Sequence, residues 1–302
     1  MLAALAFAAY LSGASPTIYV GDSGELVAAV HTLGIPHPSG YPLYILLGKL
    51  WTLVFPIGTI AYRMSVFSAL AASATVGLVY GLVRSLALTR TAAATGALTL
   101  AFGASFWSQS NIQRVYTLNA LFMIAMLRAA SAWIHSRRTR TLYAAFFLCG
   151  LGATNHTFMA VAAIALVAIV VTSPRTSHDP FPLPASHWAL AAMSFAAGLT
   201  PYLYLPLRSR ADPALDWGSP ETPGALWHVV TRREFWARAW IESPADLLPI
   251  LRDWLGSIPA EMTWAGAVLA VLGVFHRGVP RGMRIGLVTL ATLNVTAMAL
   301  HG

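Results

Sequence analysis

The sequence predicts an all-α integral membrane protein, a polytopic helical bundle whose first polar loop carries the chemistry. Three observations predict it. Hydrophobic residues make up 57% of the 302 and charged ones only 10%, with a mean hydropathy of +0.64, whereas a soluble domain carries about 25% charged residues. Apolar runs recur from the first residue to the last, separated by short loops that hold most of the basic residues. Asp22 and Glu25 are the only carboxylates before Asp179. Charge in so apolar a setting is costly to keep unless it serves a purpose.

The same numbers exclude other classes. The formal charge of +8 comes from eighteen arginines and one lysine, Lys49. No basic face with interleaved base-stacking aromatics accompanies it, so nucleic acid is not the partner. A single cysteine, Cys149, rules out an intrachain disulfide and a cysteine-built metal cluster, and reads as a packed core residue.

In chain order, residues 1–15 are apolar but short of the roughly 20 residues that cross a bilayer, so they form a clipped first helix or one completed by 16–20. A signal peptide competes, without the basic n-region it needs. Residues 41–55 are apolar with Lys49 in the middle, and 61–83 make a full-length helix ending at Arg84 and Arg90. If 41–55 lies in the interface instead of crossing, the basic loops 137–140, 173–178 and 276–284 all fall opposite Asp22, as the positive-inside bias requires. The interfacial reading is therefore adopted for 41–55. Spans follow at 91–107, 116–134, 141–153, 158–172, 186–205, 263–275 and 285–300, about nine crossings in all. The chain reads as one domain over 1–302, with a first external loop at 16–60 and a second, at 206–262, holding eight of the eleven acids and six of the arginines. The sequence stops as a helix ends, so a further C-terminal portion is expected.

This topology gathers Asp22, Glu25, His37, Tyr41, Arg114, His156, Arg208 and Arg210 on the outer side. An acid able to take a proton from a hydroxyl, with fixed cations to hold a phosphate, is what transfer from a phosphate-linked donor requires. Plainer readings exist for each. Asp22-Ser23-Gly24-Glu25 has the form of a capping box ahead of the helical run 26–33. His37-Pro38-Ser39-Gly40 reads as a rigid turn. Arg114 would snorkel to headgroups, except that it stands against the positive-inside trend. His156 sits between apolar runs, where a buried hydrogen bond is the ordinary use. Metal-site spacing is absent, though assistance by a divalent ion stays open.

Five stretches together carry a resemblance: G-D-S-G-E-L-V-A-A-V-H-T-L-G-I-P-H-P-S-G-Y-P-L-Y from Gly21, A-Y-R-M-S from Ala61, F-W-S-Q-S-N-I-Q-R-V-Y-T-L-N-A from Phe106, G-A-T-N-H-T-F from Gly152 and Y-L-Y-L-P-L-R-S-R-A-D-P-A-L-D-W-G from Tyr202. They resemble a family of bacterial membrane proteins that is itself similar to the eukaryotic transmembrane protein O-mannosyltransferase. The resemblance covers nearly the whole chain and implies a GT-C glycosyltransferase architecture, with a catalytic acid and interfacial helices in the first external loop. It further implies a polyprenyl-phosphate sugar as donor, a mannose-like sugar, and a protein or glycan hydroxyl as acceptor on the extracytoplasmic side of the plasma membrane. The catalytic acid falls on Asp22, with Glu25 second; His37-Pro38 matches a His-Pro element. Arg114, with Arg208 or Arg210, would hold the leaving phosphate, while Glu25 and His37 orient the acceptor or the base. The chain departs from the pattern at Gln113-Arg114, where an acid is expected before Val115-Tyr116. The alternative from another class is a transporter or lipid flippase coupling through Asp22 and Glu25, although such charges usually sit at the bilayer midplane in repeated halves and no repeat is visible. A non-catalytic scaffold is the third reading.

Overall fold

A computed structural model describes residues 1–86, 88–174, 183–237, 241 and 243–300, the last three by backbone alone. Among these residues there are fourteen α-helices joined by short loops and 3-10 turns, and no strand beyond one isolated bridge between Ile35 and Asp216. The frame is a row of helices: α5 (Arg90–Phe102) lies on α4 (Ile60–Ser85), α4 on α7 (Tyr116–Ser136), α7 on α8 (Thr139–Ala153), and α8 on α10 (Ala185–Gly198). α1 (Leu2–Ser12) rests against α4, and α9 (Ala162–Thr172) pairs with α14 (Arg281–Leu300).

Two of these helices, α4 and α5, start where a threonine caps them. Thr59 Oγ1 accepts from the Tyr62 N–H and Thr89 Oγ1 from the Ala92 N–H, both at 3.1 Å. Each such cap contributes about 1 kcal/mol. Lipid supplies no hydrophobic drive between helices, so close backbone approach has to do it. The α1–α4–α5 seam is accordingly built from Ala6, Ala69, Ala72, Ala97 and Ala101 around the buried Tyr10. At the α8–α10 contact, a Cβ on Gly150 or Gly198 would run into the backbone of the facing helix. The largest core cluster joins α7, α8, α9 and α14 through Met126, Trp133, Phe146, Leu166 and Met283, with Cys149 buried inside it.

Among the described residues, three helical stretches are long and apolar enough to cross a bilayer: α4, α7 and Pro244–Val274. The pair Ala185–Gly198 and Thr200–Ser209, bent by 41°, makes a fourth if counted as one span. The protein is an integral membrane helical bundle. Fewer helices pass this measure than the roughly nine apolar runs of the sequence, because several runs are broken. The run 91–107 splits at Gly103 into α5 and α6 (Ala104–Ser110), and 158–172 opens with a 3-10 turn, Thr157–Val161. Residues 16–20 do not prolong α1, which ends at Ser12. The span expected to begin at Thr263 is the second half of the helical stretch α13 (Leu247–Val274), whose geometry is interrupted at Thr263. Of the loop 173–178, residues 175–178 lie outside the described residues.

Two further helices position the site. α2 (Ser23–Thr32) and α3 (Pro42–Val54) pack on each other and on α4 through Leu26, Val30, Tyr44, Ile45 and Met64. α3 is 13 residues, about 20 Å, too short to cross. It turns Leu46, Leu50, Leu53 and Val54 outward.

Candidate active site

Gly21 has φ +74°, and a Cβ there would collide with the Arg114 guanidinium. Glycine therefore lets the chain turn tightly around Arg114 and enter α2 with Asp22 beside it. The capping box does not form. Asp22 sits at the N-cap position in αR geometry and its side chain caps nothing. Arg114 Nη1 instead donates to Asp22 Oδ2 at 2.5 Å, and Nη2 to the Val20 carbonyl at 2.9 Å. Asp22 is about half exposed, and its second oxygen takes no bond among the described residues. Glu25 also turns away from the cap: its Oε1 accepts from the His37 backbone N–H at 2.8 Å and its Oε2 meets His37 Nδ1 at 2.6 Å.

The Glu25–His37 pair continues as a chain of polar contacts. On the other side of the ring, His37 Nε2 meets the Tyr41 hydroxyl at 2.8 Å. Arg232 Nη1 donates to the same hydroxyl at 3.4 Å. Burial alone would raise Glu25, but the two bonds from His37 and its charge outweigh that and hold the carboxyl below its usual range. Burial pushes the Tyr41 phenol up; the nearby Arg232 opposes this and the charge of Asp22 adds to it. Tyr41 thus feels both ends of the site. His156 packs against the rings of Tyr41, Tyr116 and Phe158. Burial first, then Arg232 and His37, drive its pKa down to about 3, so it is neutral at any physiological pH.

At Gln113-Arg114, where an acid was expected, Arg114 pairs with Asp22 and Gln113 has a full set of partners. Its Nε2 donates to Ser65 Oγ at 2.7 Å and to the carbonyls of Thr17 and Ala61, while its Oε1 accepts from the Tyr19 N–H. Completely buried, it ties the loop carrying Asp22 to α4. The turn at Asn155 is tied similarly: Asn155 Nδ2 donates to the Val115 carbonyl at 3.1 Å.

Six of the eight sequence candidates, Asp22, Glu25, His37, Tyr41, Arg114 and His156, come together here. Arg208 and Arg210 do not. Arg208 donates to the carbonyls of Leu33 and Thr32, capping the C-terminal end of the ten-residue α2, about 15 Å along the axis from Asp22. Lys49 does the same at the His31 carbonyl. Arg210 is exposed, with no side-chain partner among the described residues.

Sequence reasoning missed Arg232, whose guanidinium lies over the rings of Phe158 and Phe235 at 5.5 and 5.0 Å, and Trp217, 6.3 Å from the His37 ring. Arg232 is delivered by α12 (Pro223–Val230), which Thr157 Oγ1 holds by donating to the Val230 carbonyl. The only signal was a cation set among aromatics in T-R-R-E-F-W, too common to single out. Among the described residues, no three His, Cys, Asp or Glu side chains meet as a metal cluster.

A half-exposed carboxylate paired with one arginine, beside a Glu–His–Tyr chain that meets a second, is an arrangement many folds can carry, so the comparison with known proteins decides the family. The family described as "Protein O-mannosyl-transferase TMEM260 N-terminal domain" matches residues 22–179, just over half of the chain. The chain belongs to this family. Similar relatives include "Protein O-mannosyl-transferase TMEM260" of Mus musculus, 30% identical over 259 residues that are 83% of this chain and 36% of the relative. Another is "Protein O-mannosyl-transferase tmem260" of Dictyostelium discoideum, 25% identical over 287 residues, 86% and 34% respectively. The chain thus spans about a third of the length of these curated relatives. No solved structure matches it. The TMEM260 family match begins at Asp22 itself and contains both acids, His37, Tyr41, Arg114 and His156, while Arg232 lies beyond it.

Proposed function

We propose that the protein is a membrane glycosyltransferase of GT-C type that moves a sugar, mannose by preference, from a polyprenyl-phosphate carrier to a Ser or Thr hydroxyl of protein on the extracytoplasmic face. The observation that carries this reading is the pairing of half-exposed Asp22 with Arg114, in which the second carboxylate oxygen takes no hydrogen bond among the described residues. It is joined by the relatives, which are protein O-mannosyl-transferases by name. The acceptor oxygen attacks C1 of the sugar and its proton passes to the open Asp22 oxygen. The C1–O bond to phosphate breaks, and the phosphate leaves with the bonding pair. Arg232 is the better phosphate partner, because its guanidinium spends one long hydrogen bond on Tyr41, whereas Arg114 is committed to Asp22 and Val20. Glu25 and His37 hold the Tyr41 hydroxyl in place between them and Arg232.

The test is sugar transfer from radiolabelled polyprenyl-phosphate mannose to Ser/Thr peptides by the detergent-solubilised protein, beside Asp22→Asn. Transfer lost in the variant supports both the class and the base. Full transfer by Asp22→Asn would overturn the assignment of the base.

A further inference from the structure

A cavity of about 520 Å³ opens next to the His37 turn, lined by Pro38, Trp217, Ala225, His228, Arg233 and Glu234 among others. Its volume falls within the range of small-ligand sites. None of these residues takes part in the chemistry proposed above. Trp217 is the link: its ring lies 6.3 Å from the His37 ring, its indole N–H donates to Glu234 Oε2 at 2.9 Å, and it is 40% exposed. Arg233 Nη1 meets His228 Nε2 at 2.8 Å. Among the described residues, the second Glu234 oxygen and the other Arg233 N–H groups have no partner.

The lining decides what fits. A carboxylate and a guanidinium on the same wall disfavour an isolated anion or cation, and favour a neutral chain offering both N–H donors and carbonyl acceptors. A wide aromatic face beside them packs against side chains. All lining residues except Pro38 come from 217–234, within the acid- and arginine-rich segment. A lipid-linked donor arrives from the apolar side of the protein, so a cavity in the polar segment serves the water-borne substrate.

We propose that this cavity is the acceptor subsite, holding the polypeptide residues that flank the hydroxyl. The inference rests on the transferase reading above. The experiment measures binding of a fluorescently labelled Ser/Thr peptide to the detergent-solubilised full chain by anisotropy, without donor, so that it does not depend on turnover. Ala225→Trp fills the cavity and Glu234→Gln removes its carboxylate; thermal midpoints of both are recorded beside binding. The expected result is about tenfold weaker peptide binding in each, equivalent to ~1.4 kcal/mol, with wild-type midpoints. Wild-type affinity in a folded Glu234→Gln and a folded Ala225→Trp would overturn the subsite even if peptide transfer is intact. Displacement of the peptide by free mannobiose with no effect of peptide sequence would overturn the polypeptide assignment in favour of a glycan. Absence of transfer by a protein that binds peptide normally would instead sink the transferase reading.

Discussion

Arg114 and Asp22, 92 positions apart, meet at 2.5 Å and fix one oxygen of the carboxylate while leaving the other open. A base held in this way is oriented without being consumed. Asp22→Asn is expected to lower transfer by about 10²–10⁴-fold, the range for loss of a general base. Because Asp22 is about half exposed, the thermal midpoint should barely move. Parallel transfer assays and melting curves check both halves.

Arg232 and Arg208 separate a phosphate role from a helix-capping role. Arg232→Ala is expected to raise the KM for the lipid-linked donor by about tenfold or more, as removing a charge-assisted contact does, with little loss of stability. Arg208→Ala should do the reverse, lowering stability by roughly 1–3 kcal/mol through loss of its bonds to Thr32 and Leu33. Donor titrations with both variants decide between the two arginines.

Gln113 has no contact with Asp22, yet it holds the loop that presents it. Gln113→Leu removes the hydrogen bonds to the Tyr19 N–H, the Thr17 and Ala61 carbonyls and Ser65 Oγ, while Ser65 keeps its bond to the Ser15 carbonyl; the expected cost is about 1–3 kcal/mol in all. Transfer should fall with it, and a second-site change that restores the midpoint should not restore turnover. Turnover at wild-type rate in Gln113→Leu would remove Gln113 from the positioning machinery.

Stability should drop on the acid side because of His156. Its folded pKa, about 3, lies below the ordinary ~6.5, so between these values the unfolded state binds the extra proton and stability rises with pH. The loss therefore begins below pH ~6.5 and reaches about 2 kcal/mol by pH ~5. Glu25, held low by His37, contributes stability above its ordinary pKa that disappears only at still lower pH, as pH falls through its depressed value. Denaturation midpoints for wild type and His156→Gln from pH 7 to 5 test this: the variant should be less stable at pH 7 and flatter with pH.

Local signals were enough for part of the site. Asp22 and Glu25 stood out because carboxylates are rare here, and Arg114 because it stands against the positive-inside trend. Their use was not legible. A capping box is written in Asp22 to Glu25, but the box competes with Arg114 and His37, and the distant partners win because charge-assisted bonds exceed a backbone cap. Arg208 looked like a phosphate ligand by charge and side alone; only its proximity to the α2 carbonyls shows where the guanidinium goes. Arg232 was invisible because nothing local distinguishes it from five other arginines in 206–262.

By itself, then, the sequence determined the membrane-bound helical class, since apolar content and run length are sums over local residues. It also located the two acids, since rarity needs no partner to be seen. Tertiary structure alone decided where apolar runs break, which arginine faces the site, and what Gln113 holds in place. Each of these depends on groups tens of residues apart, and hydrogen bonds and ion pairs form by distance in space, which the order of residues does not record.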